Sequence, residues 1–226
     1  MLPISATDEW RSAHPGAAIG LLELSGVEQA GAGSALDARK RETEARLRER
    51  YQGHGRQEFS ALPVMQAYVQ YYRRFGKTYH VQLQLESIVL KGKGLPDVSP
   101  LVDANFVAEM ETLVLTAGHD AAKLLGAVSI DVSREADRMT QMNGALKPLP
   151  AGDMIMRDAS GVCCSILYGQ DNRSPISALT SHVLYVAYAP AGVPAAAVED
   201  QLRRIEDNVR SFSPATVTEQ RRVLST

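Results

Sequence analysis

Cysteine is almost missing from this chain of 226 residues: the only two, Cys163 and Cys164, are adjacent. Neighbours on a strand point to opposite faces, so a disulfide-stapled scaffold is excluded and two reduced thiols are expected. Histidine is scarce too. His14, His54, His80, His119 and His182 are scattered without ligand spacing, so neither a metal site nor a cofactor is expected. No apolar run approaches the roughly twenty residues needed to cross a bilayer. The opening MLPISATDEWRSAHPG lacks both the basic start and the apolar core of a secretory signal, so a cytoplasmic protein without membrane contact is expected. A formal net charge of -2 lacks the basic excess of most nucleic-acid binders, and DNA is not an expected partner. There is no G-x-S-x-G nucleophile elbow.

What is present reads as an ordinary globule, 45% hydrophobic and 22% charged, large enough to bury a substantial core. Ala17 to Leu24 is an apolar run ending at Gly26, as in a buried strand. After the loop GAGS at 31 to 34, Ser34 and Asp37 form a candidate capping pair for a helix over Ala35 to Tyr51. That helix interleaves Arg39, Lys40, Arg41, Arg46, Arg48 and Arg50 with acidic residues. Near-neighbour ion pairs on a solvated face are the favoured reading, an RNA-binding stripe the other. Pro63 opens a helix ending before Gly76, and Val81 to Leu90 forms another, closed by the glycines of KGKG. The latter half changes period. Ala127–Val132, Met154–Asp158, Val162–Leu167 and Val183–Ala189 read as strands, with GDM at 152 to 154 a tight turn, and Val193–Val209 as a closing amphipathic helix. Helices first and strands later predict an α+β fold.

The richest stretch is Ser99 to Asp120, SPLVDANFVAEMETLVLTAGHD. Ser99 and Pro100 suit a helix start, an apolar face follows, and Gly118 is the expected stop, which leaves Asp103, Asn105 and His119 near the ends of one rigid element. LVDANF followed by GHD resembles the V-D-x-T-N-Y … H-A-F-D stretch of the editing module, the B3/B4 domain, of the phenylalanyl-tRNA synthetase beta subunit. AGDMIMRDASGVCCSILYGQDNRSPISALTSHVLYVAYAP resembles that module's later run T-L-V-I-A-D-A … A-G-I-M-G-G … V-L-L-E-S-A. The two matches lie within about Arg73 to Pro190, in the family's order. The resemblance implies a freestanding B3/B4-like domain spanning 1–226, with a central β-sandwich, a core over 61–212 and residues 1–60 as an extension.

That module hydrolyses the ester joining a wrong amino acid to a tRNA, and an ester so activated needs little beyond a positioned water. The resemblance implies that His119, with Asp120 beside it, holds the water or shares a proton; capping a helix C-terminus is the alternative. It implies that Asn105 grips an amino or hydroxyl group, a buried structural amide being the other reading. Asp103 is expected to brace the fold rather than touch substrate, because the first turn of a helix favours a carboxylate. Ser165, Tyr168 and Gly169 fall at the pocket's glycine-rich turn. Two positions depart from the family. Ala104 stands where it has a threonine, and Val186 where it has the glutamate that recognises a tyrosine hydroxyl, so a different acyl group is expected. Arg73, Arg74, Lys77 and Tyr79, within YYRRFGKTYH, and Lys91 and Lys93 are candidate tRNA contacts, because cations beside aromatics suit phosphates and unpaired bases. The expected function is a trans-acting deacylase of misacylated tRNA, with the tRNA for phenylalanine first. The alternatives are a non-catalytic RNA- or amino-acid-binding module and a hydrolase of some other small ester.

Overall fold

The computed structural model describes residues 1–31 and 33–226. The chain opens with β1 (Ile4–Ala6) and a short helix α1 (Asp8–Ala13), whose Thr7 cap accepts the amide of the fully buried Trp10. Next come β2 (Ala18–Ser25), α2 (Gly33–Arg50), α3 (Arg56–Ala61), α4 (Pro63–Arg73), α5 (His80–Lys91) and α6 (Pro100–Thr112). The second half holds β3 (Thr116–Asp120), a 3-10 turn at Ala121–Lys123, β4 (Val128–Val132), β5 (Arg138–Thr140) and β6 (Leu146–Pro148). It continues through β7 (Met154–Asp158), β8 (Gly161–Ser165), β9 (Gly169–Gln170), β10 (Val183–Ala189), α7 (Ala195–Arg210) and β11 (Val217–Ser225).

The fold is α+β and layered. One large sheet runs β1-β4-β7-β8-β9, parallel only where β1 meets β4; the second runs β11-β2-β10-β3 and is antiparallel throughout, and β5 pairs with β6 in a separate two-stranded hairpin. The apolar run AIGLLEL fits its place: β2 and β10 are buried along nearly their whole length, so neither shows an alternating pattern. Both sheets feed one continuous buried cluster, in which Leu184, Val186 and Tyr188 join Met154, Met156 and Cys164. On the outer face of the second sheet lies α7. Gly20 makes that possible, because a Cβ there would stand 2.6 Å from Val198 Cγ1. Residues 1–60, expected as an extension, supply β1 and β2, and β2 lies inside the second sheet. Cys163 and Cys164 are buried and unbonded to each other.

Two expectations need correction. The helix from Ser99 does not run on to Gly118 but stops at Thr112, where Leu113 adopts a left-handed φ of 64° and its amide meets Glu109 O at 2.7 Å. The chain then extends, and Gly118 and His119 belong to β3. Ser99 is the N-cap residue, yet its hydroxyl makes no capping bond; Asp103 instead ties down the chain just before the helix by accepting the Val98 amide at 3.0 Å. The Ser34 side chain, expected as a cap, and Ala32 of the GAGS loop lie outside what is described.

Helix α2 is knit into the protein through its charges. Lys40 donates to Asp103 at 2.6 Å, Arg39 to Asn208 at 2.8 Å, and Arg46 pairs with Glu111. Arg48 donates to the carbonyl of Lys93 at 3.0 Å. Four of the six candidate cations of an RNA-binding stripe are therefore spent on intramolecular partners, in line with the ion-paired reading.

Candidate functional site

The architecture leaves a cavity of about 480 Å³ between α6, the free edge of β3 and the β8–β9 hairpin. Helix α6 presents Val102, Asn105, Phe106 and Glu109 to it, spaced so that all fall on one face. The neighbouring face turns into the protein: Asp103 binds Lys40, and the Ala104 carbonyl accepts Asn208 Nδ2 at 2.9 Å. Ala104, expected in the pocket, is fully buried on that side and does not line the cavity.

Thr116 fixes the geometry of the two polar groups. Asn105 Nδ2 donates to its carbonyl at 2.9 Å, and its amide donates to Glu109 Oε1 at 3.1 Å. Because β3 pairs only with β10, these side chains cover an edge that would otherwise stay open. Gln201 extends the network, donating to Thr116 Oγ1 at 3.0 Å and to Asn105 Oδ1 at 3.3 Å.

Glu109 is the residue that the sequence reading missed. It is 2% exposed, lines the cavity and has no cation beside it, so burial drives its pKa up to about 8. At neutral pH it is mostly a carboxylic acid. Since Oε1 accepts the Thr116 amide, the proton belongs on Oε2, for which the described residues supply no partner. The signal was available: a glutamate one helical turn beyond Asn105, on the same face of the helix and flanked by Ala108 and Met110.

The remaining walls explain two glycines. A Cβ on Gly118 would sit 2.6 Å from Ile176 Cδ1 and 3.1 Å from Tyr185 Cε1, so only glycine lets these side chains close over the strand. Tyr185 is pinned in turn by its hydroxyl, which donates to the Leu101 carbonyl at 2.7 Å. Gly169 has φ of 78° and turns β8 into β9 at the cavity's edge. Ser165 and Tyr168 line the same wall. Ser165 donates to Asp153, which also accepts the Tyr71 hydroxyl at 2.8 Å; burial lifts the Asp153 pKa to about 7 despite these two bonds. Cys164 lines the cavity as a thiol, its pKa pushed up to about 12 by burial, so it offers no thiolate.

His119 is not in this constellation. It is fully buried, its Nδ1 lies 2.8 Å from Ser174 Oγ, and Ser174 donates onward to Asp171 at 2.8 Å. With the serine proton spent on Asp171, the histidine proton belongs on Nδ1, and Nε2 is left buried without a partner. Burial lowers its pKa to about 4, which keeps the ring neutral. The helix-end alternative falls as well, because the residue stands inside a strand. Asp120 caps the 3-10 turn and accepts Thr180 Oγ1 at 2.8 Å. Val186 is fully buried opposite Leu21 and Ala117 and does not reach the cavity.

Of the basic and aromatic candidates, Tyr79 is corrected: it is wholly buried, stacked on Tyr68 with centroids 4.2 Å apart, so no base can reach its ring. Arg73, Arg74 and Lys77 are exposed. The Lys77 ammonium lies 5.0 Å from the ring centroid of Tyr168, which lines the cavity. Lys91 and Lys93 are exposed at the far end of α5, eleven or more residues beyond the cavity-lining His80. At the helical rise this is about 16 Å away. Among the described residues no cluster of His, Cys, Asp and Glu suits a metal ion, and no helix is long and apolar enough to cross a membrane.

The sequence matches no protein-family model and no curated protein. Among solved structures it is similar to an N-terminal fragment of the phenylalanyl-tRNA synthetase beta-subunit from Pyrococcus horikoshii, at 6% identity and a TM-score of 0.47. The similarity covers 93% of this chain and 49% of that one, so the chain spans about half the fragment's length.

Proposed function

We propose that the cavity receives the acyl group of an aminoacyl-tRNA, with the tRNA for phenylalanine as first candidate, and that the protein hydrolyses the ester in trans in the cytoplasm. The observation that carries this reading is Glu109: a carboxyl with pKa near 8, in an apolar cavity, one turn from Asn105. A group that titrates near working pH is suited to moving protons in both directions. In its ionised form Glu109 takes a proton from water as the water oxygen bonds to the ester carbonyl carbon. It then returns that proton to the departing ribose oxygen as the C–O bond breaks, which leaves a free amino acid and a tRNA with an intact hydroxyl. Tyr185, Phe106 and Ile176 supply apolar walls, and neither a protein nucleophile nor a metal takes part in this scheme.

The test is a panel of aminoacyl-tRNAs incubated with the protein and its Glu109→Gln and Asn105→Ala variants. Release of the amino acid from at least one member, lost in Glu109→Gln, supports the hydrolase; no release above background from any member contradicts it. A second reading, a binding module without catalysis, is favoured by the sequestration of His119. It predicts binding of an amino acid or acylated tRNA that Asn105→Ala weakens, with the ester left intact.

A further inference from the structure

Three separate segments converge on the ring of Tyr168, a residue that lines the cavity. Tyr168, in the β8–β9 turn, has the Lys77 ammonium 5.0 Å from its centroid and the Lys147 ammonium 4.8 Å away. Lys77 comes from the α4–α5 connection and Lys147 from β6. Among the described residues neither lysine forms an ion pair, whereas the arginines of α7 and Arg157, Arg173 and Arg221 all meet carboxylates. Two like charges gathered on one ring repel each other, and the ring's negative face offsets only part of that. An anion between or beside them removes the remainder. The β5–β6 turn brings Met142 to the cavity lining, 56% exposed, with the Gln170 side-chain amide 3.7 Å from its sulfur. Among the described residues the only carboxyl lining the cavity is Glu109, which burial keeps mostly protonated at neutral pH, so little negative charge opposes an anion there.

We propose that this cluster is the mouth of the cavity and a docking site for the terminal nucleotides of a single-stranded nucleic acid, with Lys77 and Lys147 on successive phosphates and Met142 against a base. The site rests on the reading of the cavity as the receptacle for the acyl group carried by that strand. It places the recognition of the polynucleotide on the β5–β6 and β8–β9 hairpins, and leaves Lys91 and Lys93 outside the contact. Lys147 and Met142 join the interface, and Tyr168 serves as the support that holds the two cations in place.

The experiment measures binding of a short, unacylated single-stranded RNA to the full chain by fluorescence anisotropy across a salt series. The wild type is compared with Lys77→Ala/Lys147→Ala and with Lys91→Ala/Lys93→Ala. Loss of two phosphate contacts lowers the slope of log K against log salt by about 1.4, and weakens binding roughly tenfold near physiological salt. The double variant at the mouth is expected to show this change, and the double variant at the far end of α5 is not. An unchanged slope at the mouth overturns the proposal, as does competition by inorganic phosphate as effective as competition by the strand. Because the readout is binding of an unacylated strand, absence of ester hydrolysis sinks the deacylase alone, and an unchanged slope beside intact hydrolysis sinks the mouth alone.

Discussion

Asp103 and Glu109 lie six residues apart on α6, both buried, and their surroundings give them opposite characters. Asp103 faces α2, where the Lys40 ammonium stands 2.6 Å away and the Val98 amide 3.0 Å away. Lys40 in turn has its pKa held above the usual lysine value by its bonds to Asp103 and Asp97, which outweigh the opposing effect of burial. Glu109 faces the cavity, with one amide for company and no cation. A buried carboxyl that meets a cation is a brace, because its charge is used. One without a cation keeps its proton near neutrality and stays available for chemistry.

The comparison can be broken in several ways, the first carrying the largest effect. Glu109→Gln keeps an oxygen to accept the Thr116 amide but cannot shuttle a proton, so the hydrolysis rate is expected to fall by about 10²–10⁴-fold while the fold survives. Single-turnover deacylation with a denaturation control checks both halves. Asp103→Ala leaves the Lys40 ammonium buried with only the exposed Asp97 as partner, and is expected to cost about 3 kcal/mol in urea unfolding.

A pH series sharpens the contrast. Glu109 is raised from 4.5 unfolded to about 8 folded, so across that window the native state holds a proton that the unfolded chain has lost. The stability contributed by Glu109 is fully present below the unfolded value and is lost as pH rises to the folded one, with a slope of about -1.4 kcal/mol per pH unit at most. Asp153, raised from 3.8 to about 7, acts with the same sign. The Glu109→Gln variant lacks only the first contribution. Between pH 5 and pH 8.5 it is expected to gain on the wild type by an amount on the order of 4 kcal/mol, read from paired denaturation curves.

Smaller effects follow. Gly118→Ala pushes a methyl against Ile176 and Tyr185, and is expected to destabilise by about 1–2 kcal/mol and to weaken ligand binding more than that loss explains. His119→Gln is expected to change the hydrolysis rate by less than about threefold, its cost appearing in stability, because the ring never reaches the cavity.

Much of the fold was legible in the residues. The strands at Met154–Asp158 and Val183–Ala189 carry unbroken local signals and stand at those bounds, and the helix opened by Pro63 starts where expected and ends two residues early, at Arg73. Short elements were not: β1 is defined by a partner far away in sequence, through the pairing of Ile4 with Val128, and α1 and β9, at six and two residues, are too short to show a period. The run after Thr112 was misjudged for a specific reason. Leu113 enters the left-handed region without being glycine, and Val114, Leu115 and Thr116 then extend, so an apolar pattern continues while its period changes. That single error moved His119 from the end of a helix into a strand. In the site, Asn105, Ser165, Tyr168 and Gly169 were all named and all line the cavity. Glu109 was passed over because a charged residue within an apolar helical stretch reads as surface until the neighbouring strand is known to bury it.

The most direct test of the role assigned to Glu109 is the rate of aminoacyl-ester hydrolysis from pH 6 to 9, corrected for spontaneous loss, in the wild type and Glu109→Gln. The predicted result is a rate that rises as Glu109 ionises, levels off above an apparent pKa near 8, and drops to background throughout the range in the variant. A pH-independent rate, or a variant as active as the wild type, would contradict it.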